Sequence, residues 1–338
     1  TRIAINGFGR IGRLYFRHAL LDDDVEIVCI NDPHKIEISS YLFQNDSNYG
    51  RYPHDVTYEQ EDGGNTWLCV LNKRILVVCH RDPTKCPWKE LNVDVVVEAS
   101  GVFRSYEDAM VHCNVGAKKV LITAPPKGKG VKQYVYGVNH QDYNLEEDHV
   151  ISMASCTTNS LAPVLKVVEE QFGVKRAFIT TVHSFTNDQA TLDAFHTDPR
   201  RARAASSSII PTTTGAAEAV AKVIPSLEGK LTGLALRVPT PTVSITDLVM
   251  ELNQSVTREQ MHQALDEAAK GSLNGILHVS YEPLVSCDYK GTTYSSIVDA
   301  ELTKILDGDL VKLMIWYDNE YGYARRLLDV SKVMFPSS

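Results

Sequence analysis

Cys156 is the side chain in this sequence whose type and setting best fit covalent chemistry. It follows the apolar, strand-like run 151–154, and a helical pattern then continues to residue 171 and ends at Gly173. A cysteine at the start of a helix lies close to unpaired N–H groups and to the positive end of the helix dipole, and both favour the thiolate. A thiolate is a nucleophile, so this position predicts covalent catalysis. The alternative is a structural cysteine, because free cysteines are often buried.

His183 is the candidate base for that thiol. It ends the β-rich run 178–182, and active-site residues are frequent where strands give way to loops. An imidazole beside a thiol can stabilise the thiolate and later transfer protons. The sequence has 11 histidines, and a structural or surface role is the alternative for any one of them. Sequence spacing alone does not show that His183 lies close to Cys156.

Arginine and threonine side chains later in the chain are candidate anion-binding groups. Several arginines fall in a long polar segment, 184–208, and one more ends a strand-like run just before a proline. A Thr-Thr-Thr-Gly run opens a helical pattern, and arginine forks, hydroxyls and helix-end N–H groups are what phosphate recognition uses. A solvated or intersubunit charge patch is the alternative for some of the arginines. The groups are Arg200, Arg201, Arg203, Arg237, Thr212, Thr213, Thr214 and Gly215.

A GxGxxG run near the start of the chain predicts a dinucleotide site. Its glycines are Gly7, Gly9 and Gly12, it stands between a strand-like and a helical segment, and Asp32 ends the next strand-like segment 20 residues after Gly12. The glycines allow a tight turn, close approach of a pyrophosphate and close helix packing, while the helix N-terminus supplies N–H donors. Asp32 can accept both ribose hydroxyls and would repel a 2′-phosphate. A glycine turn with an incidental acid is the alternative.

Composition excludes several classes of protein. The 338 residues are 43% apolar and 22% charged, as in a globular protein, and the length favours two domains. The 7 scattered cysteines lack metal-ligand spacing and indicate free thiols in a reducing compartment. A net charge of −8 gives no drive toward nucleic acid or anionic membranes, and no apolar run is long enough to span a bilayer. A cytoplasmic location without membrane attachment is the expectation.

The order of elements predicts two different folds in succession. In the first third, apolar β-branched runs alternate with helical patterns, which predicts a doubly wound parallel sheet of the α/β type with helices on both faces. After Cys156, longer alternating runs predict a mostly antiparallel sheet with one covered face, in an α+β arrangement. One clear helix, 258–270, follows Thr257, which forms a capping-box pattern with Gln260.

Taken together, these runs closely resemble phosphorylating glyceraldehyde-3-phosphate dehydrogenases. The resemblance extends from end to end and is carried by short runs in a fixed order. These are INGFGRIGR from residue 5, IND from 30, SCTTN from 155, TTVHS from 180, RRARAA from 200, IPTTTGAA from 210, RVPT from 237 and WYDNE from 316.

The resemblance implies a Rossmann-type NAD-binding domain, 1–155, completed by a C-terminal helix, 319–338, and a catalytic domain, 156–318. It implies that Cys156 attacks the aldehyde of glyceraldehyde 3-phosphate, with His183 as base. Hydride passes to NAD, and inorganic phosphate releases 1,3-bisphosphoglycerate from the thioester. A cytoplasmic, glycolytic homotetramer without a primary nucleic-acid role is implied as well.

The resemblance also assigns binding roles residue by residue. Thr186 and Arg237 match the clamp for the phosphate of the substrate. The positions matching the site of the attacking phosphate are Ser155, Thr157, Arg201, Thr214 and Gly215. The positions matching cofactor contacts, beside Gly7, Gly9 and Gly12, are Arg10, Ile11, Asp32, Arg81, Thr123 and Asn319, the last through the nicotinamide amide.

Two departures from the family pattern bear on function. Ser160 stands where a second cysteine is common, so the active-site thiol has no cysteine partner there. Ala194 and Phe195 stand where NAD-dependent members usually carry Leu-Pro, and small residues there accompany NADP use, whereas Asp32 and Pro33 favour NAD. We therefore predict NAD as the cofactor.

Two rival functions follow from the same residues. Erythrose-4-phosphate dehydrogenase shares the fold and the Cys–His pair but releases its acyl intermediate by hydrolysis, and its phosphate loop usually diverges from the Thr-Thr-Thr-Gly run found here. A non-catalytic role, such as RNA binding through the cofactor domain, would not need the Cys–His–Arg set and gains little support from an acidic chain.

Overall fold

The computed structural model describes residues 1–336, which form two compact units. The first contains Thr1–Tyr136, His140–Ala154 and the chain from Ala324 onward, and the second contains Gly137–Asn139 and Ser155–Tyr323. The functional domains 1–155 and 156–318 remain a prediction. Ser337 and Ser338, the last residues of the predicted segment 319–338, lie outside the described residues.

The first unit is built on a nine-stranded sheet with the order β10-β11-β9-β8-β1-β2-β7-β6-β5. Every pair from β10 to β7 is parallel, and β7-β6-β5 forms an antiparallel ribbon at one edge. The nine strands of this sheet are β1 Arg2–Asn6, β2 Glu26–Asn31, β5 Val56–Gln60, β6 Thr66–Val70, β7 Lys73–Val78, β8 Val95–Glu98, β9 Lys119–Ile122, β10 Lys132–Gln133 and β11 Val150–Ser152. Two short strands, β3 Asn45–Asp46 and β4 Gly50–Arg51, form a separate antiparallel pair. The helices are α1 Arg10–Ala19, α2 Ile36–Gln44 and α3 Tyr106–Asn114.

The central strands of this sheet are buried on both faces. Strands β8 and β9 are buried along their whole length, which is why their sequences are continuous apolar runs rather than alternating ones. Strand β1 has β2 on one side and β8 on the other, so the direction of winding reverses at its carboxyl end. Ligands of open α/β sheets bind at such switch points, and the glycine turn begins there.

The second unit is built on a seven-stranded sheet with the order β13-β14-β12-β15-β18-β17-β16, in which four of the six pairs are antiparallel. Helices α4, α5 and α6 pack against one face. The strands are β12 Val174–Ser184, β13 Ile210–Thr213, β14 Leu231–Val238, β15 Ser244–Leu252, β16 Leu277–Ser280, β17 Ser296–Leu306 and β18 Leu310–Tyr317. The helices are α4 Cys156–Phe172, α5 Ala216–Val223, α6 Arg258–Lys270 and α7 Tyr321–Met334, the last of which continues into the first unit.

The predicted fold class, a doubly wound parallel sheet followed by a mostly antiparallel α+β sheet, is confirmed. The helix expected at 258–270 has those bounds, and Thr257 and Gln260 form the expected capping box. The C-terminal helix begins at Tyr321, so Asn319 precedes it. The ribbon β5-β6-β7 is not predicted, because polar residues interrupt its runs and β5 is largely exposed. Among residues 1–336, no helix is long and apolar enough to cross a membrane.

Replacing Thr257 with Ala is expected to destabilise the second unit by about 1 kcal/mol, because the Thr257 hydroxyl accepts from the Gln260 N–H at the start of α6. Chemical denaturation followed by circular dichroism measures the change. Gln263→Ala, an exposed substitution inside the same helix, should change the free energy of unfolding by less than about 0.5 kcal/mol. Equal losses in both variants would contradict the capping explanation.

Candidate active site

The glycine turn after β1 has the geometry of a phosphate cradle. Gly7 has φ +97°, and a Cβ there would lie 2.5 Å from the Ser100 backbone nitrogen. A Cβ on Gly12 would lie 2.1 Å from the Gly7 carbonyl oxygen, so both positions exclude a side chain. At Gly9 a Cβ would meet no protein atom within 4 Å, and Gly9 starts α1 without a side-chain cap. The backbone at Gly9 is therefore open to a ligand, and the N–H groups of α1 are available to an anion.

The predicted cofactor residues of the first unit follow the carboxyl ends of its parallel strands. Asp32 follows β2, Arg81 follows β7 and Thr123 follows β9. Asp32 is buried, and its carboxylate accepts from the Phe8 N–H at 2.7 Å, which ties the acid to the glycine turn. The Nδ1 atom of His34, an exposed side chain, lies 2.6 Å from the other oxygen of that carboxylate. These residues form the edge at which doubly wound sheets bind dinucleotides.

Arg10 and Ile11 open α1, where the resemblance puts cofactor contacts. The Arg10 guanidinium forms an ion pair of 2.6 Å with Asp46 and lies over the ring of Tyr49. Burial raises the pKa of the Asp46 carboxyl, but the Arg10 guanidinium and the N–H groups of Asn48 and Tyr49 together hold that pKa below its usual value. The side chain of Arg10 is thus held at the turn by a carboxylate.

Cys156 is the first residue of α4, and His183 lies near the end of β12. Ser155 caps the helix by accepting from the Thr158 N–H at 3.1 Å. The Cys156 Sγ atom lies 3.4 Å from His183 Nε2, so the second unit brings the two predicted catalytic residues together. His183 is 4% exposed, and its Nδ1 lies 2.6 Å from the Ser184 carbonyl oxygen. The thiol and the imidazole therefore form a hydrogen-bonded pair oriented by the backbone.

Burial opposes charge on either member of this pair. Although part of Cys156 remains accessible, its packed surroundings raise the pKa of the thiol, against the expectation that the helix start favours the thiolate. Burial, reinforced by the Arg237 guanidinium, lowers the pKa of His183 to about 3. Transfer of the thiol proton to Nε2 creates both charges together, 3.4 Å apart, where they stabilise each other. The short contact thus allows proton transfer within the pair, although burial opposes the resulting charges.

Two predicted anion-binding residues lie against the far side of His183. Arg237, near the end of β14, directs Nη1 to His183 Nδ1 at 2.8 Å, to the Ser184 carbonyl oxygen at 2.9 Å and to Thr186 Oγ1 at 3.3 Å. The buried Nε of Arg237 has no hydrogen-bond acceptor among the described residues. A buried guanidinium with an unused donor fits an anionic ligand. Arg237 and Thr186 are called the anion clamp below.

Arg201 contacts the Thr-Thr-Thr-Gly run, and these are the residues of the second predicted anion site. Arg201 Nε donates to Thr212 Oγ1 at 2.9 Å, and Thr214 Oγ1 accepts from the Ala216 N–H at 3.2 Å just before α5. Gly215 is the exposed N-terminal cap of that helix. Arg201 thus contacts the threonine run two residues before Thr214, and the assignment of Arg201, Thr214 and Gly215 to the attacking phosphate stays a prediction.

The other two residues assigned to the attacking phosphate, Ser155 and Thr157, lie at the start of α4. The Thr157 hydroxyl is buried and lies 2.9 Å from the Tyr317 hydroxyl, which also lies 2.8 Å from Thr181 Oγ1. Thr157 therefore joins a buried hydroxyl network behind the thiol, and its backbone N–H rather than its hydroxyl is the group suited to an anion.

Sequence reasoning misses three residues that organise this unit: Asp188, Tyr317 and Ser244. Asp188 accepts from the Thr186 hydroxyl and pairs with Arg201 at 2.7 Å. Its position two residues after Thr186, in an arginine-rich segment, is a signal that charge pairing could have used. Tyr317 ends β18 and lies in the WYDNE run without a role assigned to it there, whereas nothing in the local sequence marks Ser244 at the start of β15.

Asn319 belongs to the second unit, whereas the other predicted cofactor residues belong to the first. Its Oδ1 accepts from Ser184 Oγ at 2.8 Å and from Ser244 Oγ at 3.1 Å. Both hydroxyl groups are buried, and this fixes which end of the amide is the carbonyl. The Nδ2 group has no acceptor among the described residues and is available to donate to a ligand.

A dinucleotide-type α/β unit and a unit with a thiol–imidazole pair beside a buried arginine are the features of a nucleotide-dependent dehydrogenase. Family models match both parts of the chain, "Glyceraldehyde 3-phosphate dehydrogenase, NAD binding domain" over residues 1–106 and "Glyceraldehyde 3-phosphate dehydrogenase, C-terminal domain" over residues 155–319. The chain belongs to the glyceraldehyde 3-phosphate dehydrogenase family.

Curated relatives agree over nearly the whole chain. Glyceraldehyde-3-phosphate dehydrogenase of Geobacillus stearothermophilus is 52% identical over 331 residues, 98% of this chain and 97% of that protein. Glyceraldehyde-3-phosphate dehydrogenase 1 of Bacillus subtilis is 51% identical over 98% of this chain and 97% of that protein. The chloroplastic glyceraldehyde-3-phosphate dehydrogenase A of Chlamydomonas reinhardtii is 48% identical over 98% of this chain and 88% of that protein. The predictions of a dehydrogenase of this family with NAD as cofactor are confirmed.

Gly9→Ala is expected to weaken NAD binding by about tenfold or more, equivalent to 1.4 kcal/mol. The added Cβ meets no protein atom but fills the space where the pyrophosphate approaches the backbone, so the melting temperature of the free protein should change little. Isothermal titration calorimetry measures the affinity. Gly63→Ala, where a Cβ also meets nothing, is the matched control. Unchanged NAD affinity in Gly9→Ala would exclude this turn as the phosphate cradle.

Proposed function

We propose that this chain oxidises glyceraldehyde 3-phosphate to 1,3-bisphosphoglycerate through a thioester on Cys156. The observation that carries the proposal is the contact of 3.4 Å between Sγ and His183 Nε2, beside an anion clamp with an unused guanidinium donor. A thiol next to a base can attack an aldehyde, and the clamp can hold a phosphate borne by the same substrate.

In the first step, the thiol proton passes to His183 Nε2 as sulfur forms a bond with the aldehyde carbon. The carbonyl π pair moves to oxygen, which the Cys156 backbone N–H at the start of α4 can stabilise together with His183. The His183 imidazolium returns its proton to that oxygen, which gives a thiohemiacetal and a neutral imidazole. His183 then takes the hydroxyl proton as hydride leaves the carbon, and the thioester remains on sulfur.

NAD, when bound, supplies the acceptor for that hydride and is reduced by two electrons. The residues proposed to hold it are the three glycines of the turn, with the N–H groups of α1 for the pyrophosphate and Asp32 for the adenosine ribose. The further residues proposed to contact it are Arg10, Ile11, Arg81, Thr123 and Asn319. The Asn319 Nδ2 is the donor available to the carboxamide of the nicotinamide, which would fix the ring face turned to the substrate.

Inorganic phosphate is the proposed second substrate. The groups assigned to it are Arg201, Thr214, Gly215, Ser155 and Thr157. Attack of a phosphate oxygen on the thioester carbon breaks the carbon–sulfur bond, and the sulfur leaves as a thiolate that regains its proton. Because Asp188 pairs with both Thr186 and Arg201, binding of phosphate groups requires these side chains to exchange one anionic partner for another.

A homotetramer and a cytoplasmic location are further proposals that follow from family membership. Large apolar side chains are exposed on the second unit, including Phe178 at 68% and Ile209 at 68%, which supports burial against further copies of the chain. Analytical ultracentrifugation should give about four times the mass of one 37.6 kDa chain. A monomer at micromolar concentration would refute the assembly.

Cys156→Ser should abolish NAD reduction with glyceraldehyde 3-phosphate, because a serine hydroxyl beside a neutral imidazole is a far weaker nucleophile than a thiolate. Cys287→Ser, at an exposed cysteine, should keep full activity. Initial rates of NADH formation, with and without inorganic phosphate, measure both. Steady-state turnover of the wild type should require phosphate. Phosphate-independent turnover would instead support the hydrolytic erythrose-4-phosphate dehydrogenase reaction, and activity in Cys156→Ser would exclude the covalent mechanism.

Asp32→Ser should shift cofactor preference toward NADP, because it removes the carboxylate that can accept ribose hydroxyls and repel a 2′-phosphate. We expect the ratio of kcat/KM for NAD over NADP to fall by about tenfold or more. The wild type should favour NAD despite Ala194 and Phe195. Asp23→Asn removes an exposed acid of the same unit and should leave the ratio unchanged. A wild-type preference for NADP would overturn the assignment of Asp32.

A further inference from the structure

We propose that Glu98, a buried carboxylate at the switch point of the first unit, favours the oxidised form of the bound cofactor over the reduced form. The nicotinamide ring carries a positive charge in NAD⁺ and none in NADH, so a fixed negative charge on its side of the site stabilises NAD⁺ selectively. This inference rests on the proposed cofactor site, because it assumes that the dinucleotide lies across the glycine turn. Glu98 acts as a positioning residue, through its charge and through the backbone that it holds.

The register of the sheet puts Glu98 beside the strand end at which the winding reverses. Glu98 is the last residue of β8, opposite Asn6 of β1 on one side and Ile122 of β9 on the other. The glycine turn follows Asn6, and Thr123, a predicted cofactor contact, follows Ile122. A dinucleotide lies across such a point with one half on each side. Because Asp32 after β2 is proposed for the adenosine ribose, the nicotinamide half falls on the side of β8 and β9.

The Oε2 atom of Glu98 accepts from the side-chain amide of Asn6, whose Nδ2 lies 2.5 Å away. A backbone group fixes the orientation of that amide from a distance. The His80 backbone N–H donates to Asn31 Oδ1 at 2.9 Å, and Asn31 Nδ2 then donates to Asn6 Oδ1 at 2.7 Å. Asn6 therefore presents its N–H groups, and not its oxygen, to Glu98.

His112 is the second donor to Oε2, and its tautomer is fixed as well. The indole N–H of Trp88 donates to His112 Nδ1 at 3.1 Å, so this nitrogen carries no proton. The ring proton is then on Nε2, which lies 3.0 Å from Glu98 Oε2. His112 is 0% exposed and Glu98 is 1% exposed. The contact is therefore a buried hydrogen bond from a neutral imidazole, and it does not cancel the charge of the carboxylate.

The other carboxylate oxygen, Oε1, accepts from Ser100. The Ser100 backbone N–H lies 2.9 Å from Oε1, and the Ser100 hydroxyl contacts the same oxygen. Donors on both oxygens stabilise the ionised carboxylate. Within residues 1–336, no lysine or arginine forms an ion pair with Glu98. The first unit thus holds a buried negative charge that is hydrogen-bonded but not neutralised by a cation.

Burial lets this charge act beyond its hydrogen bonds. Water and salt screen exposed charges, whereas a charge in the protein interior is screened much less. The thiol of Cys86 shows the effect, since burial, the Asp82 carboxylate and the Glu98 carboxylate together raise its pKa to about 12. A positively charged ring bound on the same side of the sheet is stabilised by the same field.

The experiment measures the affinities for NAD⁺ and for NADH by isothermal titration calorimetry in the wild type and in Glu98→Gln. Glutamine keeps the size of the side chain and removes its charge, so we expect the ratio of NAD⁺ affinity to NADH affinity to fall by about threefold or more. A role confined to holding the loops would lower both affinities by the same factor. An unchanged ratio in folded Glu98→Gln would overturn the proposal.

Glu98→Asp separates the charge from the geometry. Aspartate keeps the charge but is one methylene shorter, which disturbs the hydrogen bonds to Asn6, His112 and Ser100. The Ser100 nitrogen lies close to the glycine turn, where a Cβ on Gly7 would be 2.5 Å from it. Both affinities should therefore fall, while their ratio stays within about twofold of the wild type. A ratio that falls as far as in Glu98→Gln would contradict an effect of charge.

Two further variants keep the outcomes distinct. Glu90→Gln, the same charge change at an exposed position of the first unit, should leave the ratio unchanged. Gly9→Ala should weaken NAD⁺ and NADH equally, because both forms carry the same pyrophosphate. If Gly9→Ala has this effect and Glu98→Gln leaves the ratio unchanged, only the role of Glu98 is refuted. If Gly9→Ala has no effect on either form, the proposed cofactor site is refuted instead.

An uncharged analogue tests the proposal on the wild type, in case circular dichroism shows that Glu98→Gln is not folded. Benzamide adenine dinucleotide has a planar, uncharged ring in place of the charged ring of NAD⁺ and keeps the carboxamide, the riboses and the pyrophosphate. The wild type should bind it about threefold or more weakly than NAD⁺. Equal affinity for the two dinucleotides would overturn the proposal without any variant.

Discussion

The backbone at Ser184, the last residue of β12, is the constraint on which the chemistry of the second unit depends. Its carbonyl oxygen lies within hydrogen-bond distance of His183 Nδ1 and Arg237 Nη1, and its hydroxyl donates to Asn319 Oδ1. Its own N–H donates to Ser244 Oγ, which fixes the residue to β15. One residue of a strand paired on both sides thus orients the base, the anion clamp and the amide proposed to meet the nicotinamide. Rigid strands position such groups better than loops do.

Asp188 links the side chains of the two predicted anion sites within the protein. Arginine side chains that lie close together repel one another, and buried threonine hydroxyls need hydrogen-bond partners. The Asp188 carboxylate accepts from the Thr186 hydroxyl and pairs with Arg201, and the pKa of Asp188 is lowered by the Thr186 hydrogen bond and by Arg237 and Arg201, although burial acts against them. One internal carboxylate thus links both anion sites. Binding of an external anion has to compete with it, which favours a doubly charged phosphate over weaker anions.

The sequence predicts this molecule well wherever the chemistry is local. Turn residues, helix caps and hydrophobic periodicity act over a few residues. They predict the turn at Gly7, the start of α4 at Cys156 and the helix 258–270. The contact between Cys156 and His183 depends on how α4 packs on β12, and no local pattern encodes it. The family resemblance supplied that pairing. The roles of Asp188 and Ser244 were not predicted even from the family resemblance, because these roles depend on partners in other elements rather than on neighbours in the chain.

The positive charge of Arg237 favours the charged form of the thiol and disfavours the charged form of the imidazole. Its positive charge lowers the pKa of Cys156 and also lowers the pKa of His183. An exposed cation would do little, but burial weakens solvent screening here. The Arg237 charge thus favours the thiolate and disfavours the imidazolium, and an anion beside the guanidinium would weaken both effects. A proton held on His183 is then in place for the oxyanion that the attack creates.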